Sequence, residues 1–184
     1  MAISHLILLS GGIDSACLLA ECDAKSLDPA ALFVDYGQAV ADKERSCSES
    51  LAAHFDIHWS AIELTGLVIP KGEILGRNAL LAHLALTYLG HQNASCIYLG
   101  IHAGTPYRDC TPGFIEETQR SLDFQSGGAI RLVAPYLTWP KQLIIEHAEE
   151  LGVPIELTHS CERSARPCGK CPSCLDRIGS FARA

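Results

Sequence analysis

Long apolar runs are missing from this sequence. The longest nearly apolar stretch, residues 79–86, is interrupted by His83 and falls well short of the roughly 20 residues that span a bilayer. The amino-terminal stretch also lacks a basic region before its apolar residues and lacks a small-residue cleavage site, both of which secretory leaders carry. We therefore expect no membrane span, no export and a cytoplasmic location.

Positive charge is scarce as well. The chain has 14 basic and 21 acidic side chains, and a net charge of −7 disfavours a broad electrostatic grip on nucleic acid. Low-complexity tracts and internal repeats are absent. With 184 residues, 48% of them hydrophobic and 19% charged, the composition suits one compact globular domain with a substantial core.

Cysteine, by contrast, is plentiful. An odd count of nine without a leader argues for reduced thiols, some of them metal ligands, rather than a disulfide framework. Cys161, Cys168, Cys171 and Cys174 form the pattern C-x6-C-x2-C-x2-C. Four thiolates complete the tetrahedral shell of a structural zinc ion and leave no open position for catalysis. An iron–sulfur cluster is the alternative, because C-x2-C-x2-C also occurs in ferredoxins.

Short apolar runs alternate with segments long enough for helices. Continuous apolar strands separated by helices are typical of a parallel sheet covered on both faces. We therefore predict an α/β fold with a doubly wound, five-stranded parallel sheet. The predicted strands are residues 5–9, 30–34, 57–64, 95–100 and 130–134.

The segments between these runs carry helical patterns. Cys47, Leu51 and Phe55 recur every four residues and predict a helix with one apolar face. Residues 78–89 are apolar nearly all round, so we expect this third helix to be the most buried one. The fourth and fifth helices are predicted to begin at Pro112 and near Lys141.

A glycine turn follows the first predicted strand. In the string Ser10-Gly11-Gly12-Ile13-Asp14-Ser15, adjacent glycines let backbone N–H groups approach an anion, hydroxyls add donors, and a helix amino terminus adds partial positive charge. The turn is a candidate phosphate cradle, although it lacks the lysine of GxxxxGK[ST] and the spacing of GxGxxG. An ordinary turn capped by Ser10 or Asp14 is the alternative.

Polar residues also occur in other segments that are predicted to face a ligand, at strand ends and at a helix start. The string 35–38 supplies a carboxylate, an aromatic face and an amide suited to a purine-like ring, unless it is only a turn around its glycine. Arg77 at a helix start could neutralise a phosphate or a carboxylate. The alternative is that Arg77 is solvated and Asn78 caps the helix. Asp109 lies in the loop after the fourth strand. We favour a packing role for the adjacent Cys110, because the sequence places no base beside it.

Together these motifs resemble a known family. The string SGGIDS resembles the PP-loop of N-type ATP pyrophosphatases. With Asp35-Tyr36-Gly37-Gln38, Gly76-Arg77-Asn78, Tyr107-Arg108-Asp109-Cys110, Lys141 and the cysteine tail, in collinear order, the chain resembles the 7-cyano-7-deazaguanine synthase (QueC) family. The resemblance implies a Rossmann-like fold of the adenine nucleotide α-hydrolase (HUP) type. It also implies a PP-loop ATP-binding domain in residues 1–158 and a zinc-binding segment in residues 159–184 packed on the same domain.

The resemblance implies a reaction as well: conversion of 7-carboxy-7-deazaguanine, ammonia and ATP into the nitrile by way of an adenylate and an amide. ATP with Mg²⁺, one structural Zn²⁺ per chain and a homodimer belong to the same expectation. The implied ATP-binding residues are Leu8, Leu9, Ser10, Gly11, Gly12, Ile13, Asp14 and Ser15, and the metal ligands are the four tail cysteines. The implied catalytic residues are Asp14, Ser15, Arg77, Asp109 and Lys141; the substrate-binding residues are Asp35, Tyr36, Gln38, Arg77, Asn78, Tyr107 and Asp109.

The chain also departs from the family pattern near the expected substrate pocket. The segments 64–76 and 100–110 are shorter than usual, and Thr111-Pro112-Gly113 replaces the arginine and glutamate that normally follow the Asp-Cys pair. Three functions therefore remain open. The first is nitrile synthesis from ammonia. The second is a ligase, like relatives in antiviral gene clusters, that transfers the activated carboxylate to a protein or nucleic-acid amine. The third is an inactive nucleotide-binding module. The role of His102, the one histidine near the predicted ligand edge, also remains open.

Overall fold

The structure is a computed structural model that describes residues 3–69, 74–90, 96–102 and 104–181. Its single sheet contains five strands in the order β3-β2-β1-β4-β5, and every neighbouring pair is parallel. The predicted fold class is confirmed. Each strand overlaps a predicted apolar run, the second strand continues one residue beyond its run to Asp35, and Ser95 falls outside the described residues. The strands are β1 (His5–Leu8), β2 (Ala30–Asp35), β3 (Trp59–Glu63), β4 (Cys96–Tyr98) and β5 (Arg131–Val133).

Helices cover both faces of the sheet. Ile7 and Leu9 point into one core with residues of α1, α2 and α5, while Leu6 and Leu8 point into the other with residues of α3 and α4. This alternation follows from the two-residue period of a strand, and it explains why a strand buried on both faces is apolar throughout. The helices are α1 (Ile13–Ala24), α2 (Ala41–His54), α3 (Arg77–Leu89), α4 (Pro112–Ser126), α5 (Lys141–Glu150) and α6 (Pro172–Phe181).

The expectation that the third helix is the most buried is wrong. Eight residues of α1 are buried, compared with four of α3. Helix α1 lies over the central strand and contacts both α2 and α5, whereas Leu80 of α3 remains 41% exposed. The apolar composition of a helix does not indicate how many neighbouring elements pack against it, so the prediction from composition overestimated the burial of α3.

The sequence patterns did not predict α6. It starts with Pro172 in the first turn, where a proline fits a helix, and it contacts α5. Phe181 at its end packs against the core shared by α1 and α5. Within the described ranges, no helix combines the length and the apolar character that a membrane crossing requires.

Candidate active site and cysteine cluster

The candidate active site lies at the carboxyl ends of β1, β2 and β4. Strand β1 is central, and the chain continues from it to β2 on one side and later to β4 on the other. In an open parallel sheet, such a reversal of strand order opens a crevice outside the strand ends, and ligands bind there. The predicted site residues of the glycine turn and of the loops after β2 and β4 therefore meet at one edge.

The glycine turn at this edge is held against α2. Gly11 has φ +81°, and a Cβ atom there would lie 2.7 Å from the Glu44 carbonyl oxygen and 2.9 Å from Cβ of Cys47. Only glycine suits both the left-handed backbone and the close approach. Gly12 follows in an extended conformation as the N-cap of α1.

Helix α1 has no side-chain cap at its amino terminus. Ser10 Oγ accepts from the N–H of Gly12 at 3.4 Å, just before the helix, and Asp14 pairs with Lys141. Ser15 instead donates to the Gly12 carbonyl oxygen at 3.0 Å, and its hydroxyl lies 3.2 Å from that of Ser10. The uncapped N–H groups and the positive end of the helix dipole favour an anion at this position. Leu8, Leu9 and Ile13 are core residues, so only their backbone is suited to contact a ligand.

Asp14 in the first turn of α1 is paired with a cation. The Lys141 ammonium donates to Asp14 Oδ1 at 2.5 Å, and the two side chains are 12% and 19% exposed. Lys141 is the first residue of α5, where a cation opposes the helix dipole, so this position is not explained by helix stability. The pair instead places the Lys141 ammonium, balanced by the Asp14 carboxylate, beside the glycine turn.

A histidine and a second carboxylate lie on the other side of Asp14. His102 Nε2 is 3.7 Å from Asp14 Oδ2 and 3.9 Å from Asp176 Oδ2 of α6. Gly100 permits this arrangement, because a Cβ atom there would lie only 2.9 Å from the Ser15 nitrogen. The sequence offered no indication of Asp176 beyond its place next to the cysteine cluster.

The loop after β2 is braced by its own side chains. Asp35 Oδ1 accepts from the Gly37 N–H at 2.9 Å, and Gln38 Oε1 accepts from the Tyr36 N–H at 2.9 Å. The Gln38 amide nitrogen donates to Glu44 Oε2, also at 2.9 Å. Asp35 and Gln38 thus shape the turn, and Gln38 directs the Glu44 carboxylate.

Glu44 is a site residue that the sequence analysis missed. It belongs to the polar residues of α2, yet its carboxyl is partly buried, and this burial raises its pKa although the Gln38 amide and Arg77 oppose the shift. Burial likewise raises the pKa of Tyr36, against the effect of Arg77. The Arg77 guanidinium is therefore close to both groups, and Arg45 Nη2 lies 3.8 Å from Asp35 Oδ2 at the end of β2.

The structure brings Arg77, Asn78 and Asp109 together. Asn78 does not cap its helix: Gly76 is the N-cap, and the Asn78 amide donates to the Asp109 carbonyl oxygen at 3.1 Å. Asp109 Oδ2 accepts from the Asn78 N–H at 3.3 Å, and Asn78 Oδ1 accepts from Arg77 Nε at 3.2 Å. Asp109 therefore holds the start of α3 against the loop after β4.

The same loop contributes Tyr107, which is half-buried, and Cys110. Burial raises the pKa of the Cys110 thiol, which is opposite to what a nucleophile needs and consistent with a packing role. A cavity of about 430 Å³ opens beside Asp109. Its lining includes Leu75, Arg108 and Phe114.

The four tail cysteines converge as their spacing predicts. Their Sγ atoms all lie within 4.8 Å of one another, and among the residues that the structure describes only this group has metal-ligand geometry. Backbone N–H groups of Lys170 and Cys171 lower the pKa of Cys168 to about 6, whereas burial raises that of Cys174 to about 11. A cation is needed to hold all four as thiolates, so the donor set fits a tetrahedral metal ion.

The cysteine segment also contacts the glycine turn. The His159 N–H donates to the Gly11 carbonyl oxygen at 2.9 Å. Arg177 of α6 donates to Thr158 Oγ1 at 2.8 Å and to Ser160 Oγ at 3.1 Å. These two hydrogen bonds hold the residues on either side of His159 in place. The segment that holds the metal ligands therefore supports the candidate anion site.

Comparison with known proteins gives a consistent result. The family model described as "Queuosine biosynthesis protein QueC" matches residues 4–70 and 60–184. The 7-cyano-7-deazaguanine synthase of Haloarcula marismortui is 32% identical, with 97% of this chain and 90% of that protein aligned. The enzyme of the same name from Synechococcus elongatus is 36% identical over the same shares of the two chains.

Proposed function

Because this chain belongs to the QueC family, we propose that it synthesises 7-cyano-7-deazaguanine from 7-carboxy-7-deazaguanine, ammonia and ATP. One observation carries the ATP-dependent part: an uncapped helix amino terminus at the strand-order reversal, with Lys141 beside it. This arrangement suits the phosphates of a nucleotide.

The glycine turn binds the phosphates of ATP in this proposal. Backbone N–H groups of residues 11–15 and the hydroxyls of Ser10 and Ser15 donate to the pyrophosphate part, and Lys141 balances charge that builds up as pyrophosphate leaves. The substrate carboxylate attacks the α-phosphorus and forms an acyl-adenylate. Ammonia displaces AMP and gives an amide, which a second activation dehydrates to the nitrile. Mg²⁺, when bound, neutralises the phosphates.

The deazaguanine carboxylate lies near Arg77 in this scheme. Arg77 supplies the positive charge that attracts a carboxylate, and Tyr36 supplies an aromatic face beside it. Tyr107 and Asp109 approach from the loop after β4. Asp35, Gln38 and Asn78 hold this arrangement through their hydrogen bonds to Gly37, Glu44 and Asp109.

Zinc at the cysteine cluster has a structural role in this proposal. Four thiolates leave no coordination position for a substrate, and the cluster supports the glycine turn through the His159 contact. The ion therefore stabilises the ATP site without taking part in the reaction.

A second candidate is transfer of the activated carboxylate to a partner-protein amine. Leu75 at the edge of the cavity beside Asp109 is 84% exposed, and the start of α4 at residues 111–113 is also exposed. This open apolar edge favours an acceptor larger than ammonia.

The deciding experiment is incubation with ATP and 7-carboxy-7-deazaguanine, with and without ammonium, followed by mass spectrometry. Ammonium-dependent nitrile supports the first function. Carboxylate-dependent pyrophosphate release that stops at the adenylate, or AMP release that tags a co-expressed protein, supports the second. Absence of both carboxylate-dependent pyrophosphate release and AMP release overturns both functions, and turnover that survives Asp14→Ala contradicts the assignment of the ATP site.

A further inference from the structure

The imidazole of His102 lies between two carboxylates from different helices. Its Nε2 atom is 3.7 Å from Asp14 Oδ2 on α1 and 3.9 Å from Asp176 Oδ2 on α6. His102 is 8% exposed, and the close contact of Gly100 with α1 fixes where its loop passes. Three chemically active side chains from separate elements therefore meet beside the candidate ATP site.

The spacing of these groups suits a nitrogen cation. Both distances exceed a direct hydrogen bond, and a nitrogen donor lying beside Nε2 and a carboxylate oxygen, rather than on the line that joins them, can reach both atoms at hydrogen-bond distance. Among the described residues, the four tail cysteines are the one group that could hold a metal ion, and Asp14, His102 and Asp176 do not form such a group. Lys141 already pairs with Asp14 Oδ1, which leaves Oδ2 facing the histidine.

We propose that Asp14, His102 and Asp176 form the site where the amine substrate binds as ammonium and is deprotonated, with His102 as the general base. This inference rests on the proposed function. Ammonium transfers one proton to Nε2, and its nitrogen lone pair forms the C–N bond to the acyl carbon. The bond from that carbon to the AMP oxygen breaks, AMP leaves with the electron pair, and the second proton passes to the departing phosphate or to water. Asp176 is a positioning residue.

The two halves of the reaction differ in their need for this base. A carboxylate attacks ATP without losing a proton, whereas ammonium has no lone pair until a proton is removed. Loss of His102 is therefore expected to spare adenylation and to impair amide formation. Asp14 and Asp176 face Nε2 from α1 and α6, and Lys141 lies beyond Asp14 on α5.

The test measures the two halves separately in the full-length, zinc-loaded protein. Carboxylate-dependent exchange of pyrophosphate into ATP reports adenylation, and mass spectrometry reports the amide. We expect His102→Asn to lower amide formation from ammonium at neutral pH by about 100-fold or more, with exchange retained. The deficit shrinks as the pH approaches the range in which ammonium loses its proton in solution. Hydroxylamine, which is neutral at pH 7, restores C–N bond formation.

Two further variants keep the test decisive. Asp176→Asn is expected to lower amide formation without lowering exchange or zinc content, and the exposed His58→Asn is the matched control. Equal loss of both half-reactions in His102→Asn, with no recovery at high pH, would indicate a purely structural bridge and overturn the proposal. Intact amide formation also overturns it. Absence of carboxylate-dependent exchange in the unmodified protein contradicts the proposed function instead.

Discussion

Replacing Gly11 by alanine should destabilise the protein much more than replacing its neighbour Gly12. Gly11 has φ +81°, and a left-handed backbone costs about 1–2 kcal/mol for a residue with a Cβ atom. The new Cβ atom would also lie 2.7 Å from the Glu44 carbonyl oxygen and 2.9 Å from Cys47 Cβ, and overpacking of this kind costs about 1–3 kcal/mol. The two effects together amount to about 2–5 kcal/mol.

Gly12 provides the matched control. It has an extended backbone with negative φ, and the nearest atoms to an added Cβ atom lie at 3.5 and 3.6 Å, which is ordinary contact. For a chain of this size, thermal denaturation should show Gly11→Ala melting about 4–20 °C below the unmodified protein. Gly12→Ala should melt close to it but bind ATP more weakly, since its side chain borders the phosphate cradle. Equal melting temperatures for the two variants would refute the reasoning.

Three other perturbations follow from the same structure. Lys141→Met should lower carboxylate-dependent pyrophosphate exchange by about 100-fold. The control Lys25→Met removes only the pair between the exposed Lys25 and Glu21, and it should leave the exchange rate unchanged. Similar exchange rates in both variants would contradict the role of Lys141. Chelation of the metal should speed amide hydrogen exchange in residues 159–181 and weaken ATP binding. Elemental analysis should find about one zinc ion per chain, and iron in its place would contradict the structural-zinc proposal. Burial raises the pKa of Cys17 from 9.0 to about 11, so its contribution to stability is present below pH 9 and is lost as the pH rises through 11. Urea titrations from pH 8 to pH 11 should show this decline, and Cys17→Ala should weaken it.

Much of the fold was predictable because its cause is local. A strand covered on both faces must be apolar throughout, and the five apolar runs contain the five strands except for Asp35, the last residue of β2. The cysteine cluster was predictable for a similar reason, since a two-residue spacing brings thiolates back to one ion. The burial of α3 was not predictable, because the apolar composition of a helix does not indicate how many other elements surround it.

The candidate site, like the fold, was only partly predictable from the sequence. The glycine turn was recognisable from its string, because adjacent glycines next to a helix start already contain the donors and the conformational freedom. Glu44 was hidden among the polar residues of α2, and Asp176 among the charges of the tail. Both belong to the site only because separate elements approach one sheet edge.

The sequence by itself determined which chemical groups this protein has: a glycine turn before a helix, a helix that begins near Lys141, and four thiols at metal-binding spacing. The tertiary structure alone decided their relations. Parallel strands bring loops that are far apart in the chain to a common edge, so Asp14 meets Lys141 and His102 only after the sheet forms. The contact between His159 and Gly11 likewise couples the cysteine cluster to the anion site through a fold that no local pattern encodes.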